Sequence, residues 1–192
     1  MTTPLYPIFE KRIHDATDLL LRQQIEPWVH FNSGHPVRVV GFDGRNIAYQ
    51  GGGFEGSPRD VFWSRYIEPF IENLVVQEIA AAVKMACERK VDARLLLPEV
   101  QNLLLASSGK IFLRMVDIDQ RLLGKGFPEK IPLRKIEHEI AGMQEFVEKH
   151  VRAELKMWRI KPWYEEWYER NKFWVWLGGI LVTIVGLIAK FF

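Results

Sequence analysis

Residues 173–192 read FWVWLGGILVTIVGLIAKFF, twenty residues with one charge, Lys190, near the end and one threonine, Thr183, in the middle. As a helix rising about 1.5 Å per residue, the run spans roughly 30 Å, the thickness of a bilayer's hydrocarbon core. It predicts a single C-terminal transmembrane helix acting as a tail anchor, with everything before it on one side of the membrane. Lys156, Arg159, Lys161, Arg170 and Lys172 precede the run, against Lys190 at its far end. Positive charge collects on the cytoplasmic side, so the expected localisation is single-pass membrane with the N-terminal domain cytoplasmic, in the cell inner membrane if the host is bacterial. The start, MTTPLYPIFEKRIHD, has no uninterrupted apolar stretch and carries Glu10 and Asp15, so it does not read as a secretory signal. One cysteine, Cys87, excludes an intramolecular disulfide and fits a reducing compartment.

Immediately upstream, residues 160–172 form an aromatic segment, and five of the seven tryptophans fall between 158 and 176. Trp158, Trp163, Tyr164, Trp167, Tyr168, Trp174 and Trp176 are read as membrane-interface residues, because an apolar ring with one polar group partitions to the headgroup level. Pro162 followed by Glu165 and Glu166 suits a helix start, so an interfacial helix is expected over 162–172. Within the span, Gly179, Thr183 and Gly186 recur at spacings of four and three and place small residues on one face for transmembrane packing. Such a face favours self-association or docking to another membrane protein, although glycine and threonine are also ordinary in single spans.

The remaining residues, 1–159, are long enough for one cytosolic domain with its own core, given 48% hydrophobic residues over the chain and no low-complexity tract. Apolar positions Phe9, Ile13, Ala16, Leu20 and Ile25 have helical spacing and predict a helix over about 8–25, ended or bent by Pro27. The stretch PVRVVGFDGRNIAYQG (36–51) alternates β-type residues around Asp43-Gly44, a dipeptide suited to a type I′ turn, and predicts a β-hairpin near 37–50. Ser57 as N-cap and Pro58 in the first turn start a helix whose apolar face runs Trp63, Ile67, Phe70, Leu74, Ile79, Val83 and Ala86, with Pro69 kinking or dividing it. Two further helices are expected, 98–107 with Pro98 in its first turn and 110–123, separated by the stop signal Ser107-Ser108-Gly109. A last helix over about 133–159 carries Leu133, Ile136, Ile140, Met143, Val147, Val151, Leu155 and Trp158 on one face, with a charged opposite face. The fold class is therefore mainly α: a helical bundle with one small β-hairpin, followed by the transmembrane helix.

Charge and motifs exclude several functions. The 26 basic and 24 acidic side chains, net +2, are interspersed, with no basic stripe to track phosphates, so nucleic acid is not an expected partner. The five histidines form neither HExxH nor Glu-x-x-His pairs, and Glu137-His138-Glu139 points its side chains apart on a helix, so no metal site is read and no cofactor is implied. No nucleophile signature is present, and no catalytic residue is assigned. The nearest approach to a ligand site is a candidate anion site at Gly51, Gly52, Gly53, Gly56 and Ser57, a glycine-rich loop entering a helix N-terminus, with Arg45 and Arg59 as flanking cations. The same glycines also serve simply to let the chain leave the hairpin, and Glu55 would repel a phosphate.

Three functions remain. The leading one is a tail-anchored, non-enzymatic interaction, scaffold or regulatory module, with the lipid bilayer and either a protein partner or a second copy as its partners; tethering alone raises local concentration enough for weak contacts to act. The second is a membrane effector, in which a cytosolic sensing domain controls oligomerisation of the transmembrane helix. The third is an enzyme acting on a phosphorylated or membrane-derived substrate at the Gly51–Ser57 loop.

Overall fold

A computed structural model of the chain describes residues 2–31, 36–41, 44–49, 59–125, 135–158, 168, 170–174 and 176, with side chains described from 62 onward in the run 59–125. The chain divides into two compact units, Met1–Trp158 and Arg159–Phe192. The first is mainly helical with a small two-stranded antiparallel hairpin. Helix α1 (Tyr6–Leu20) buries Phe9, Ile13, Thr17 and Leu20 along one face and continues as a π-helical turn (Leu21–Ile25) into a 3-10 turn (Glu26–His30). Pro27 opens that turn, where its missing N–H costs no helix bond.

Strands β1 (Val37–Val40) and β2 (Asn46–Tyr49) pair with Val37 opposite Tyr49 and Val40 opposite Asn46. That register leaves three residues between Gly41 and Arg45. Gly44, at φ +78°, donates its N–H to the Gly41 carbonyl at 2.9 Å, and Gly41 donates to the Arg45 carbonyl at 2.7 Å. The connection is therefore a three-residue loop with glycine in the left-handed region, not the two-residue turn that Asp43-Gly44 predicts. Asp43 itself lies outside the described residues.

A nine-residue π-helical stretch (Arg59–Ile67) leads into α2 (Glu68–Arg89), and Pro69 sits at the junction in the first turn of α2. Proline thus divides the predicted helix, because it can start a helix but cannot continue one. The end of α2 is set by Lys90 in the left-handed conformation, with Val91 N–H bonded to the Ala86 carbonyl at 2.9 Å and Lys90 N–H to the Cys87 carbonyl at 3.3 Å. That closing pattern leaves Asp92 extended, and its side chain accepts the Arg94 N–H at 2.9 Å to cap the next helix.

The helix so capped, α3, runs unbroken from Ala93 to Gly124 for 32 residues. It overturns the prediction of two helices. Pro98 lies inside it, at an exposed position where the carbonyl it leaves unbonded can meet water. Ser107 and Ser108 are buried against neighbouring helices, so packing offsets the weak helix preference of Ser-Ser-Gly, a local cost of roughly 1 kcal/mol for the glycine. Helix α4 (Ile136–Met157) buries Met143, Val147 and Val151. Residues 133 and 134, the expected start, lie outside the described residues.

Helices α1, α2 and α4 all pack on α3, and the buried apolar residues form one core from Leu5 to Val151. At one edge of the core Trp28, Phe31, Tyr49, Phe62 and Trp63 bring their rings together, the Trp28 centroid lying 5.1–5.8 Å from each of the other four. Those distances suit tilted and edge-to-face aromatic contacts. The cluster fixes the hairpin to the helices through Tyr49.

In the second unit, residues 168, 170–174 and 176 are helical, and Tyr168, Phe173, Trp174 and Trp176 are all more than half exposed. Among the described residues no helix is long and apolar enough to cross a membrane; residues 177–192, with Gly179, Thr183 and Gly186, lie outside them. Trp163, Tyr164 and Trp167 do so too.

A continuous α3 makes Pro98 an interior proline. Replacing Pro98 with Ala restores one helix bond and should stabilise the fold by roughly 1–2 kcal/mol, read as a raised urea midpoint at unchanged slope. A first-turn proline would give no gain on the same change.

Candidate functional site

The glycine-rich loop predicted to bind an anion, Gly51, Gly52, Gly53, Gly56 and Ser57, lies outside the described residues, as does the side chain of Arg59; Arg45 is exposed just before β2. Among the described residues no group of three or more His, Cys, Asp or Glu side chains could hold a metal ion. Among the described residues one concavity has a mainly apolar lining. A groove of about 610 Å³ runs along α3, with Leu105, Ala106, Gly109 and Leu113 as its floor and Leu21 and Ile140 on its walls. It exists because two small residues, Ala106 and Gly109, stand one helical turn apart on the outer face of α3. A Cβ built on Gly109 would meet nothing within 4 Å, so the floor opens to solvent there. Leu113 is 59% exposed and Ile140 41%.

The rim is ionic. Lys110 pairs with Asp18 at 2.9 Å across to α1, and the hydrogen bond from that ammonium holds the Asp18 carboxyl below its ordinary value. Arg114 forks onto Glu26 at 2.8 and 2.6 Å and also contacts Asp117, which accepts from Arg121 at 3.0 Å. Hydrogen bonding from Arg114 lowers the Glu26 carboxyl. Exposed pairs of this kind contribute little stability singly, but the fork fixes where the 3-10 turn meets α3 and so fixes one wall of the groove.

Sequence reasoning did not find this surface. Ser107-Ser108-Gly109 read as a helix stop, whereas it is a place where α3 thins on both sides: the serines admit buried neighbours and Ala106 with Gly109 shapes the groove. Ile140, on the apolar face predicted for the last helix, is exposed and lines the groove wall. The signal in the sequence was two small residues three apart beside Leu105 and Leu113.

Trp158, read as a membrane-interface residue, caps α4 and packs against the core of the first unit. Its indole N–H is buried without a hydrogen-bond partner, and the nearby Asp92 carboxyl is held below its ordinary value by the Arg94 side chain, which bonds it at 2.8–3.0 Å. Two buried carboxylates sit away from the groove. Asp119, 2% exposed, accepts the Trp63 indole N–H at 3.0 Å. Glu78 accepts from Arg12 at 2.9 Å through one oxygen, while the other is buried without a partner.

No family model, curated protein sequence or solved structure matches this chain.

Burial pushes the Glu78 carboxyl above its ordinary value of 4.5, and this outweighs the attraction and hydrogen bond of Arg12, which pull it down. The folded protein therefore holds this proton to higher pH than the unfolded chain. Its contribution to stability is complete below pH 4.5 and is lost as pH rises through the raised value. Glu78→Gln keeps an acceptor for Arg12 without the buried charge. At neutral pH it should be at least as stable as the parent in urea titrations, and that advantage should shrink as the pH falls toward 4.5.

Proposed function

We propose that the chain is a membrane-tethered, non-enzymatic interaction module: residues 173–192 hold it in a bilayer, and the helical unit presents the α3 groove to a protein partner. The groove is the observation that carries the reading. It exposes Leu113 and Ile140 to water beside a 3-10 turn that the Arg114–Glu26 fork holds on α3, and a preformed apolar groove of this kind suits the apolar face of a helix. The anchoring half is supported by the apolar run 173–192 and by the exposed aromatics Tyr168, Phe173, Trp174 and Trp176 that lead into it. In water these rings would be left uncovered; at a bilayer surface they are solvated on both sides. The charge bias around the run favours a cytoplasmic helical unit, and the small face Gly179, Thr183 and Gly186 offers a contact between spans.

Tethering makes weak binding sufficient. Confinement to a membrane raises the effective concentration of groove and partner, so a single helix docking along Ala106, Gly109 and Leu113 can act without a large interface.

The full-length protein should remain with membranes after carbonate extraction. Gly109→Leu together with Leu113→Glu should fill the groove and charge its floor, leaving the circular dichroism spectrum unchanged but removing in-membrane crosslinks from the α3 face. Crosslinks unaffected by the pair would place the partner elsewhere, and release by carbonate would exclude the anchor.

A further inference from the structure

Among the described residues of the helical unit, the two most exposed large apolar side chains are Met157, at 70%, and Leu95, at 63%. They stand at the same end of it. Leu95 lies three residues into α3, just past Asp92, and Met157 is the last residue of α4, next to Trp158, which packs on the core near Asp92. The C-terminal turn of α2 completes this end with exposed Arg89 and Lys90. Around the two apolar side chains, over residues 88–95 and 154–158, the cations Arg89, Lys90, Arg94 and Lys156 face the carboxylates Glu88, Asp92 and Glu154. Asp92 is held by Arg94. Arg159 and Lys161 follow in sequence and add to the basic excess.

We infer that this end of the bundle is a bilayer-docking face, which sets Leu95 and Met157 into the headgroup region while Arg89, Lys90 and Lys156 meet lipid phosphates. The inference rests on the reading that residues 173–192 lie in the membrane. The occupant follows from chain continuity. Trp158 closes the end that carries the exposed pair, and only fourteen residues separate it from Phe173. Fully extended, those residues reach at most roughly 50 Å, and less if any of them is helical. The end face is therefore the part of the helical unit from which the tether leaves. An exposed leucine and methionine flanked by long basic side chains match a bilayer surface, since apolar groups enter the acyl boundary while ammonium and guanidinium groups stay at the phosphates. The modest charge excess makes anionic lipid an aid to docking and insertion of the two side chains its main source.

The single cysteine provides the test, because Cys87 is exposed in the last turns of α2 at this same end. The full chain is labelled at Cys87 with a fluorophore and reconstituted into phosphatidylcholine–phosphatidylglycerol vesicles containing headgroup-nitroxide lipid. Two companions carry Cys87→Ser with either Leu123→Cys, about 42 Å away along α3 from Leu95, or Leu177→Cys, read with acyl-chain nitroxide. Docking predicts quenching at 87 and none at 123. Leu95→Glu with Met157→Glu should abolish the quenching at 87 and leave that at 177 intact; both sites are exposed, and an unchanged circular dichroism spectrum checks that the fold survives. Equal quenching at 87 and 123, no quenching at 87, or quenching that survives the glutamate pair overturns the docking face. Absence of quenching at 177 overturns the anchor instead, and if 87 is still quenched, docking stands without it. Quenching at 87 absent in pure lipid, with crosslinks from 87 to a protein in native membranes, overturns the proposal and assigns the face to a protein.

Discussion

Everything in the helical unit hangs on α3 staying continuous. It buries residues from Ala93 to Leu122 on more than one side, and α1, α2 and α4 each use a different part of its circumference. A helix in that position is surrounded by packing, and this outweighs local preferences that would break it in water. Pro98 survives because its unbonded carbonyl is spent at an exposed position. Ser107 and Ser108 survive because small side chains let neighbouring helices approach. Were α3 two helices with a turn at Ser108, Leu96 and Met115 would no longer lie on one axis, and both the ring cluster and the groove would lose the rail that aligns them.

Buried polar contacts set the register on that rail. Asp119 is sunk in the core and accepts the Trp63 indole N–H, so rotation of α3 relative to the π-helical stretch would strand a buried donor and a buried carboxylate together, a loss larger than the bond is worth when made. Because Trp63 also packs on Trp28, and Trp28 on Tyr49, the same contact indirectly positions the hairpin. On the opposite flank Arg114 and Glu26 do the corresponding job at the surface. Of the two ties, it is the Arg114–Glu26 fork that borders the groove and holds its rim.

Much of the fold is legible in the sequence, and the misreadings have physical causes. The helix of Phe9, Ile13 and Leu20, the pairing of strands around Gly44, the division at Pro69 and the two-faced α4 all follow from local periodicity and from residues whose backbone limits are strict. What periodicity cannot show is the energy supplied by a neighbouring helix, and the misreading of α3 turns on that: Pro98 and Ser107-Ser108-Gly109 look like boundaries until the packing around them is known. The three-residue hairpin loop is a subtler case, since Gly44 is where positive φ is needed under either turn type. The groove was illegible because its floor is defined by what the side chains of Ala106 and Gly109 lack, and the anion loop at Gly51–Ser57 falls outside the described residues.

Trp158 shows how position decides the role of an aromatic. In composition it belongs with the tryptophans that follow, and an amphipathic ring suits both a bilayer surface and the margin of a protein core. Here it packs on the core and leans toward Asp92, and the exposed aromatics begin only ten residues later, at Tyr168 among the described residues. The helical unit is thus finished before the aromatic segment starts. If the Asp92 end lies against a bilayer, Ala106, thirteen residues beyond Ala93 on α3, stands roughly 20 Å above it. That height is above the headgroups and within reach of helices that neighbouring membrane proteins extend from their spans. One rigid helix would then set both the footing of the module and the level at which its groove can be met.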